Sequence, residues 1–186
     1  MKKILMTLAA VAVATTMNAQ VWAGGELGFS TKHTNGAENN TKTFNIAPEI
    51  GYNLSDNLAV AIKLGYEHVS PAAGASTNNW TINPYVRYSF VKAGNFSAFI
   101  DGGVNYTTGH TQGAKKNNNT FGIGINPGIA YNVSEKVTLA AHLGKGLYYE
   151  HNWRAESEDG AMDGYHKNSF GLELLNGVSF SAYYNF

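Results

Sequence analysis

The sequence contains no cysteine. Disulfides, thiol catalysis, thiolate metal sites and a lipid-modified N-terminal cysteine are therefore excluded. The chain also lacks any apolar run approaching the roughly 18 residues that a transmembrane helix requires, so any membrane span must be made of β-strands. Proline is scarce, with 4 residues against 21 glycines and 11 tyrosines. Such a composition favours strands and tight packing over helices.

An excess of charge of either sign is lacking as well. The 13 basic residues are balanced by 13 acidic residues, which argues against nucleic-acid binding, because that function requires a basic patch. The N-terminus is typical of an export signal, since two lysines precede an apolar stretch over residues 4–14 and then small or polar residues. We expect cleavage after Ala19 or Gln20, so that residues 1–20 are the signal and residues 21–186 form one domain.

Strict alternation between apolar residues and polar or small residues dominates the rest of the chain. The clearest segments are 44–52, 58–66, 80–88, 96–106, 121–131 and 137–143. In each segment the apolar parity carries no charge, whereas the other parity carries Gly, Ala, Ser and every ionisable group. A period of two predicts β-strands with two different faces. Small residues on the polar face suit a cramped interior, so we expect the apolar face to contact lipid. A soluble periplasmic barrel would require the opposite facing.

Two further segments, Val21 to about Thr31 and Phe170 to Phe186, bring the number of strands to eight. Connections alternate in length, with short turns predicted in the periplasm and long loops outside. The short turns lie near residues 53–57, 91–95 and 132–136, and the long loops near 32–42, 69–79, 108–119 and 151–167. The sequence therefore predicts an all-β fold, an eight-stranded antiparallel up-and-down transmembrane β-barrel. Irregularities are expected at Lys145 and Leu175, which break the alternation.

Aromatic residues recur at both ends of the apolar faces, as in the girdles that flank the lipid-facing band of outer-membrane barrels. Phe44 and Tyr52 are eight residues apart, which at about 3.3 Å per residue and a tilt of about 40° covers roughly 20 Å of bilayer. The predicted girdle residues are Phe44, Tyr52, Tyr66, Trp80, Tyr88, Tyr106, Phe121, Tyr131, Phe170, Tyr184 and Phe186.

The hairpins carry a Pro-x-x-x-Tyr motif at Pro48, Pro84 and Pro127, and the chain ends in GVSFSAYYNF. With the eight-strand pattern, these features resemble the small OmpA/OmpX-like outer-membrane β-barrel proteins over essentially the whole mature chain. The resemblance implies a location in the bacterial outer membrane, with its lipids as surroundings. A closed barrel has no edge that requires a partner, so we expect a monomer.

The C-terminal aromatic residues resemble the signal that the barrel-assembly machinery recognises in its clients, with Phe180, Tyr184 and Phe186 on the outward parity. The resemblance thus implies a passing interaction with that machinery during biogenesis. The sequence does not identify an extracellular partner, and it predicts no cofactor.

Ionisable residues on the inward parity form a candidate lumen charge network. Its members are Glu26, Glu49, Lys63, Arg87, Asp101, His142 and Glu173. Registering the hairpins about their short turns places Glu49 opposite Lys63, Arg87 opposite Asp101, and Asn126 opposite His142. Eight strands leave an interior just wide enough for side chains, so we expect these groups to pair and plug the lumen. A narrow ion-conducting path is the alternative, because charges inside a membrane often serve function.

These features favour a non-enzymatic outer-membrane barrel that serves membrane integrity or surface interaction through its extracellular loops. The alternative from another class is a lipid-modifying enzyme. His68 and Ser70 lie two residues apart on the outward parity at the outer end of the third strand, and they resemble the His-x-Ser pair of lipid A deacylases. Glu67 or a loop acid would then orient the histidine.

The remaining outer histidines are candidates for metal binding, because imidazole is a common metal ligand. They are His33, His110, His151 and His166. Their spacing matches no helical or hairpin metal motif, so we predict surface polar residues and no metal site.

Overall fold

A computed structural model of the protein describes residues 20–32, 40–154, 164–175 and 178–186. The predicted export signal, apart from Gln20, lies outside these residues, as does His33. In the described parts of the chain, no helix is long and apolar enough to cross a membrane.

Ten β-strands, each antiparallel to its neighbours, make up the regular structure of the described chain. They are β1 (Val21–Lys32), β2 (Thr41–Asn53), β3 (Leu58–Ser70), β4 (Thr77–Ala93), β5 (Phe96–Thr111), β6 (Asn118–Asn132), β7 (Val137–His142), β8 (Gly146–Arg154), β9 (Tyr165–Glu173) and β10 (Ser179–Asn185).

These strands close into a barrel with eight strand positions. Strands β1 to β6 pair in sequence order. Strands β7 and β8 both pair with β6 and share the seventh position, and β9 and β10 share the eighth. Strand β10 pairs with both β7 and β1, which closes the ring. The predicted eight-stranded antiparallel up-and-down barrel is confirmed.

The seam between β1 and the eighth position is only partly paired. Residues 22–26 pair with β10, whereas residues 27–32 pair with β2 alone among the described residues. The outward side chains beside this stretch are strongly exposed, with Leu27 and Phe29 at 71% and Phe170 at 75%. The outer half of the barrel wall is therefore least enclosed at this seam.

The seventh and eighth positions are interrupted where the sequence predicted irregularities. Gly144 and Gly146, on either side of Lys145, have positive φ angles of 96° and 63°, and Leu175 has a φ of 62°. The backbone N–H of Leu175 donates to the carbonyl of Leu143 at 2.9 Å, which ties the two interruptions together. Each interruption absorbs a residue that breaks the alternation.

The outer hairpins extend farther than the sequence predicted. Residues 151–154 and 165–167, expected in a long loop, continue β8 and β9. Polar side chains link these extensions to their neighbours, as where the Thr120 hydroxyl donates to Asn152 Oδ1 at 2.6 Å. Backbone pairing does not require an apolar face, so the strands continue past the point where apolar alternation ends.

Side-chain exposure follows the predicted facing. On the apolar parity of β6, Phe121 and Ile125 are 44% and 46% exposed. On the polar parity, Glu49 and Asp101 are 4% and 6% exposed. The apolar faces thus point outward to lipid, and the ionisable side chains lie inside the barrel.

The predicted girdle residues lie near the two ends of the outward face. The rings of Tyr66 and Trp80 pack 4.7 Å apart at the outer end, and those of Phe96 and Tyr131 pack 4.6 Å apart at the inner end. Most of the predicted set is at least 38% exposed, and Tyr52, Tyr66 and Phe186 are partly buried.

Candidate functional site

Arg87 lies at the centre of the lumen, where β4 presents it to the neighbouring strand β5. Its Nε atom donates to Asp101 Oδ1 at 2.7 Å, and its Nη2 atom donates to Asp101 Oδ2 at 2.8 Å. The two residues are direct ladder partners, so the sequence placed this pair correctly. A bidentate arginine–carboxylate contact is both stronger and more directional than a single hydrogen bond.

Glu49 supplies a second carboxylate to the same layer, and its side chain is fully buried. Lys63, its predicted ladder partner, lies 3.4 Å from Glu49 Oε2, and Arg87 lies 3.9 Å from Oε1. The Tyr85 hydroxyl donates to Oε1 as well. Lys63 also pairs with Glu26 at 3.6 Å. Removing any one of these groups would leave its partners charged in an enclosed space, which is costly.

Aromatic rings surround the Arg87 guanidinium. Its central carbon lies 4.0 Å from the ring centre of Phe99 and between 5.3 and 5.5 Å from three further rings, those of Trp22, Tyr85 and Tyr183. Cations attract the faces of aromatic rings, and more strongly where water is displaced. The arginine is thus held by ring packing as well as by its carboxylate.

His142 contacts the layer from β7, where its Nε2 atom lies 3.1 Å from Asp101 Oδ2. Its predicted position opposite Asn126 is wrong. Gly128 is the ladder partner of His142, and Asn126 is instead the partner of Asp101. The turn between β6 and β7 is centred on residue 135 rather than 134, because Val133 still pairs with the carbonyl of Val137.

Six of the seven predicted network residues come together in this layer, and Glu173 does not. Glu173 accepts a hydrogen bond from the Tyr148 hydroxyl at 2.8 Å, away from Arg87. The four aromatic residues around Arg87 were missed as site residues. They are the large side chains on the inward parity among glycines and alanines, and that contrast is the signal that could have found them.

The charged and aromatic layer divides the lumen into two cavities. The outer cavity has a volume of about 510 Å³ and is lined by polar groups such as Asn45, Lys63 and Thr81. The inner cavity has a volume of about 580 Å³ and reaches Trp22 and Arg87 from the periplasmic side. The Arg87 layer lies between the two cavities.

A second polar cluster lies on the outward face at the outer rim. His68 Nε2 is 3.0 Å from Ser70 Oγ, and His68 Nδ1 is 2.7 Å from Asn78 Oδ1. Of the two alternatives for the orienting acid, Glu67 or a loop acid, Glu67 is wrong for this role. It lies on the inward parity and accepts a hydrogen bond from Asn79 Nδ2 at 2.8 Å. Asn78, on the adjacent strand, contacts the His68 ring nitrogen that an orienting acid was expected to contact.

A family model, outer membrane protein beta-barrel domain, matches residues 4–186. The chain belongs to this outer-membrane barrel family. This barrel is therefore a protein of the bacterial outer membrane. No curated protein matches the chain.

Solved structures similar to this barrel include small outer-membrane proteins. Outer membrane protein W of E. coli is 17% identical, with 91% of this chain and 100% of that chain covered and a TM-score of 0.48. OprG of Pseudomonas aeruginosa is 12% identical, with 90% and 93% covered and a TM-score of 0.49. Neisserial surface protein A is 14% identical, with 90% and 95% covered and a TM-score of 0.47.

The outer histidines that the structure describes contact asparagine side chains or stack on one another. His110 Nδ1 lies 3.0 Å from Asn117 Oδ1, and His151 Nδ1 lies 2.6 Å from Asn168 Oδ1. The rings of His151 and His166 stack 5.6 Å apart. Among the described residues, no three His, Asp or Glu side chains are grouped to hold a metal ion.

Proposed function

We propose that this outer-membrane barrel is a sealed, non-conducting membrane scaffold that supports envelope integrity and presents its outer hairpins to the cell's surroundings. The observation that carries the proposal is the bidentate Arg87–Asp101 pair packed under four aromatic rings. The lumen takes no catalytic part in this function, because its charged groups are occupied with one another.

The energy needed to open the lumen supports a sealed state. A path through the layer requires Arg87 to leave Asp101 and the ring of Phe99 together. Breaking a buried ion pair by removing one partner costs about 3–5 kcal/mol, and cation–π contacts add about 0.5–2 kcal/mol. Such a cost keeps the open state sparsely populated.

A gated ion path is the second candidate function, and the two cavities favour it. Only one layer of side chains lies between a cavity of about 510 Å³ and a cavity of about 580 Å³. If that layer were displaced, the halves would join into a polar path. The sealed scaffold and the gated path therefore differ in how often Arg87 leaves its place.

Conductance in planar lipid bilayers separates the two functions. The sealed scaffold predicts no current steps for the native protein, and steps for Arg87→Ala. Lys136→Ala, in an exposed periplasmic turn, is the matched control and should stay silent. Each protein must first migrate as a compact species on an unheated gel, so that silence is not due to unfolding. Spontaneous steps from the native protein would contradict the sealed scaffold and support the gated path.

A further inference from the structure

The outward polar cluster at the rim has a geometry that the sealed scaffold does not require. His68 and Asn78 are direct ladder partners on β3 and β4, and Ser70 follows His68 on the same face of β3. All three side chains are partly buried. The cluster stands outside the lumen, so none of its contacts helps to plug the barrel.

The hydrogen bonds of this cluster determine which ring nitrogen of His68 carries the proton in the neutral imidazole. Asn78 Oδ1 accepts a bond from the Tyr66 hydroxyl at 2.9 Å and lies 2.7 Å from His68 Nδ1. An amide oxygen only accepts, so Nδ1 must carry the proton. In the neutral imidazole, Nε2 then has a free lone pair, and that atom is 3.0 Å from Ser70 Oγ. The serine hydroxyl therefore donates to a nitrogen held ready to take its proton.

The position of the cluster matches the depth at which lipid esters lie. Tyr66 and Trp80, which pack together in the outer aromatic girdle, are one step below His68 and Asn78 on the same faces. Phe44, another outward aromatic residue, is the ladder partner of His68 on the other side. Aromatic girdles mark the membrane interface, where acyl chains join their headgroups. The ester bonds of an outer-leaflet lipid would therefore lie near the level of Ser70.

We propose that Ser70, His68 and Asn78 form a catalytic triad that hydrolyses acyl esters of anionic outer-leaflet lipids. The inference goes beyond the scaffold function and uses the lipid-modifying alternative that the His68–Ser70 pair raised. A nucleophile, a base within hydrogen-bond reach and a third group that orients the base are the parts that acyl transfer requires.

The reaction balances with water as the only co-reactant. Ser70 Oγ attacks the ester carbonyl while its proton passes to His68 Nε2. The bond to the alcohol then breaks, the imidazolium proton goes to the leaving oxygen, and an acyl-serine forms. Water gives a proton to Nε2 and attacks the acyl-serine, which releases a fatty acid and returns the proton to Ser70.

Lys42 gives the site its preference for negative charge. It is the ladder partner of Ser70, and ladder partners on one face have Cβ atoms about 4.5–5.5 Å apart. An exposed ammonium at this distance attracts the phosphate of a headgroup whose ester reaches Ser70. Both anionic phospholipids and lipopolysaccharide carry such phosphates next to acyl esters, so the test treats them separately.

The experiment uses the full folded barrel in vesicles and measures released fatty acids by mass spectrometry. Three vesicle types are compared: phosphatidylcholine alone, phosphatidylcholine with phosphatidylglycerol, and phosphatidylcholine with lipopolysaccharide. We expect release from at least one anionic type, and the type identifies the lipid source. Ser70→Ala and His68→Asn should each lower the rate by about a hundredfold or more. Asn78→Ala should lower it less, and Lys42→Gln should lower it on anionic vesicles only.

Matched controls lie on the same rim. Ser76→Ala and His166→Gln change the same residue types near the outer end of the barrel and should leave the rate unchanged. Labelling with a fluorophosphonate provides an independent readout, because it reports an activated serine without any lipid, and we expect modification at Ser70. Folded native protein that releases no fatty acid from any vesicle and leaves Ser70 unlabelled would overturn the proposal. So would a rate that survives Ser70→Ala.

Discussion

Phe99 lies directly against Arg87 at the centre of the barrel, with 4.0 Å between its ring centre and the guanidinium carbon. At 1% exposure, Phe99 is the largest fully buried side chain of the described chain. Both residues belong to the inward parity. The interior of this membrane barrel is therefore held by packing between rings and a cation as well as by ion pairs.

Phe99→Ala should destabilise the barrel strongly, because it removes a buried ring and uncovers the Arg87 guanidinium. Truncation of a buried phenylalanine typically costs about 3–5 kcal/mol. The free energy of unfolding is measured by urea titration of protein folded in lipid vesicles. Phe90→Ala is the control, since Phe90 is 52% exposed, and its loss should be smaller. Equal losses for the two variants would contradict the packing described for Phe99.

The Arg87–Asp101 pair should behave as a coupled unit in a double-mutant cycle. Arg87→Met and Asp101→Leu each leave a charge without its partner, which costs about 3–5 kcal/mol. The double variant removes both charges, so it should lose less than the sum of the two single changes by about 0.5–3 kcal/mol. Unfolding free energies in vesicles provide the comparison. Additive losses would mean that the pair makes no net interaction.

Gly128→Ala should strain the lumen. A Cβ atom at Gly128 would collide with the ring of Phe99 and lie 2.9 Å from the carbonyl oxygen of Ala141. Overpacking of this kind costs about 1–3 kcal/mol. Gly102→Ala is the matched control, because its Cβ would meet only Ile125 at an ordinary 3.7 Å. If urea titration finds the two variants equally stable, the predicted clash with Phe99 is absent.

Ile125→Arg should reveal the lipid-facing side of the wall. Ile125 is 46% exposed and lies near the middle of the span between Phe121 and Tyr131. An arginine facing lipid at the bilayer midplane costs about 2–4 kcal/mol, and near an interface about 0–1 kcal/mol. Leu54→Arg in the periplasmic turn is therefore the control with little expected effect. An unchanged unfolding free energy for Ile125→Arg would mean that this face does not contact lipid.

The facing and number of the strands could be predicted because alternation records which side meets lipid. Register was predictable where the turn centre was clear, as for Glu49 with Lys63. For His142 the predicted turn centre was wrong by one residue. The Pro48–Tyr52 motif recurs at Pro127, and placing the turn at the same distance after Pro127 as after Pro48 gives the correct centre. For this hairpin the repeat is thus the better guide to register, whereas for the hairpin at Pro84 the middle of the turn placed Arg87 opposite Asp101 correctly.

The rest of the site depends on contacts that sequence spacing does not contain. Asn78 meets His68 through the register of a hairpin whose loop is too long to locate its centre from sequence. Phe99 lies on β5 beside Arg87 on β4, with Ser89 as its ladder partner, and the alternation of the sequence does not show that its ring covers the guanidinium. Glu173 lies outside the network, because it is the last residue of β9, where the eighth barrel position is interrupted.

The most direct test of the sealed lumen is chemical access from one side of the membrane. Because the chain has no cysteine, single cysteines can be placed at Thr81 in the outer cavity and at Ser97 in the inner cavity. The protein is inserted from one side into preformed vesicles, and a membrane-impermeant thiol reagent is added on the side of the outer hairpins. We predict rapid labelling of Thr81→Cys and no labelling of Ser97→Cys. In proteins that also carry the Arg87→Ala substitution, both cysteines should be labelled. Labelling of Ser97→Cys at a similar rate with Arg87 in place would contradict the sealed barrel.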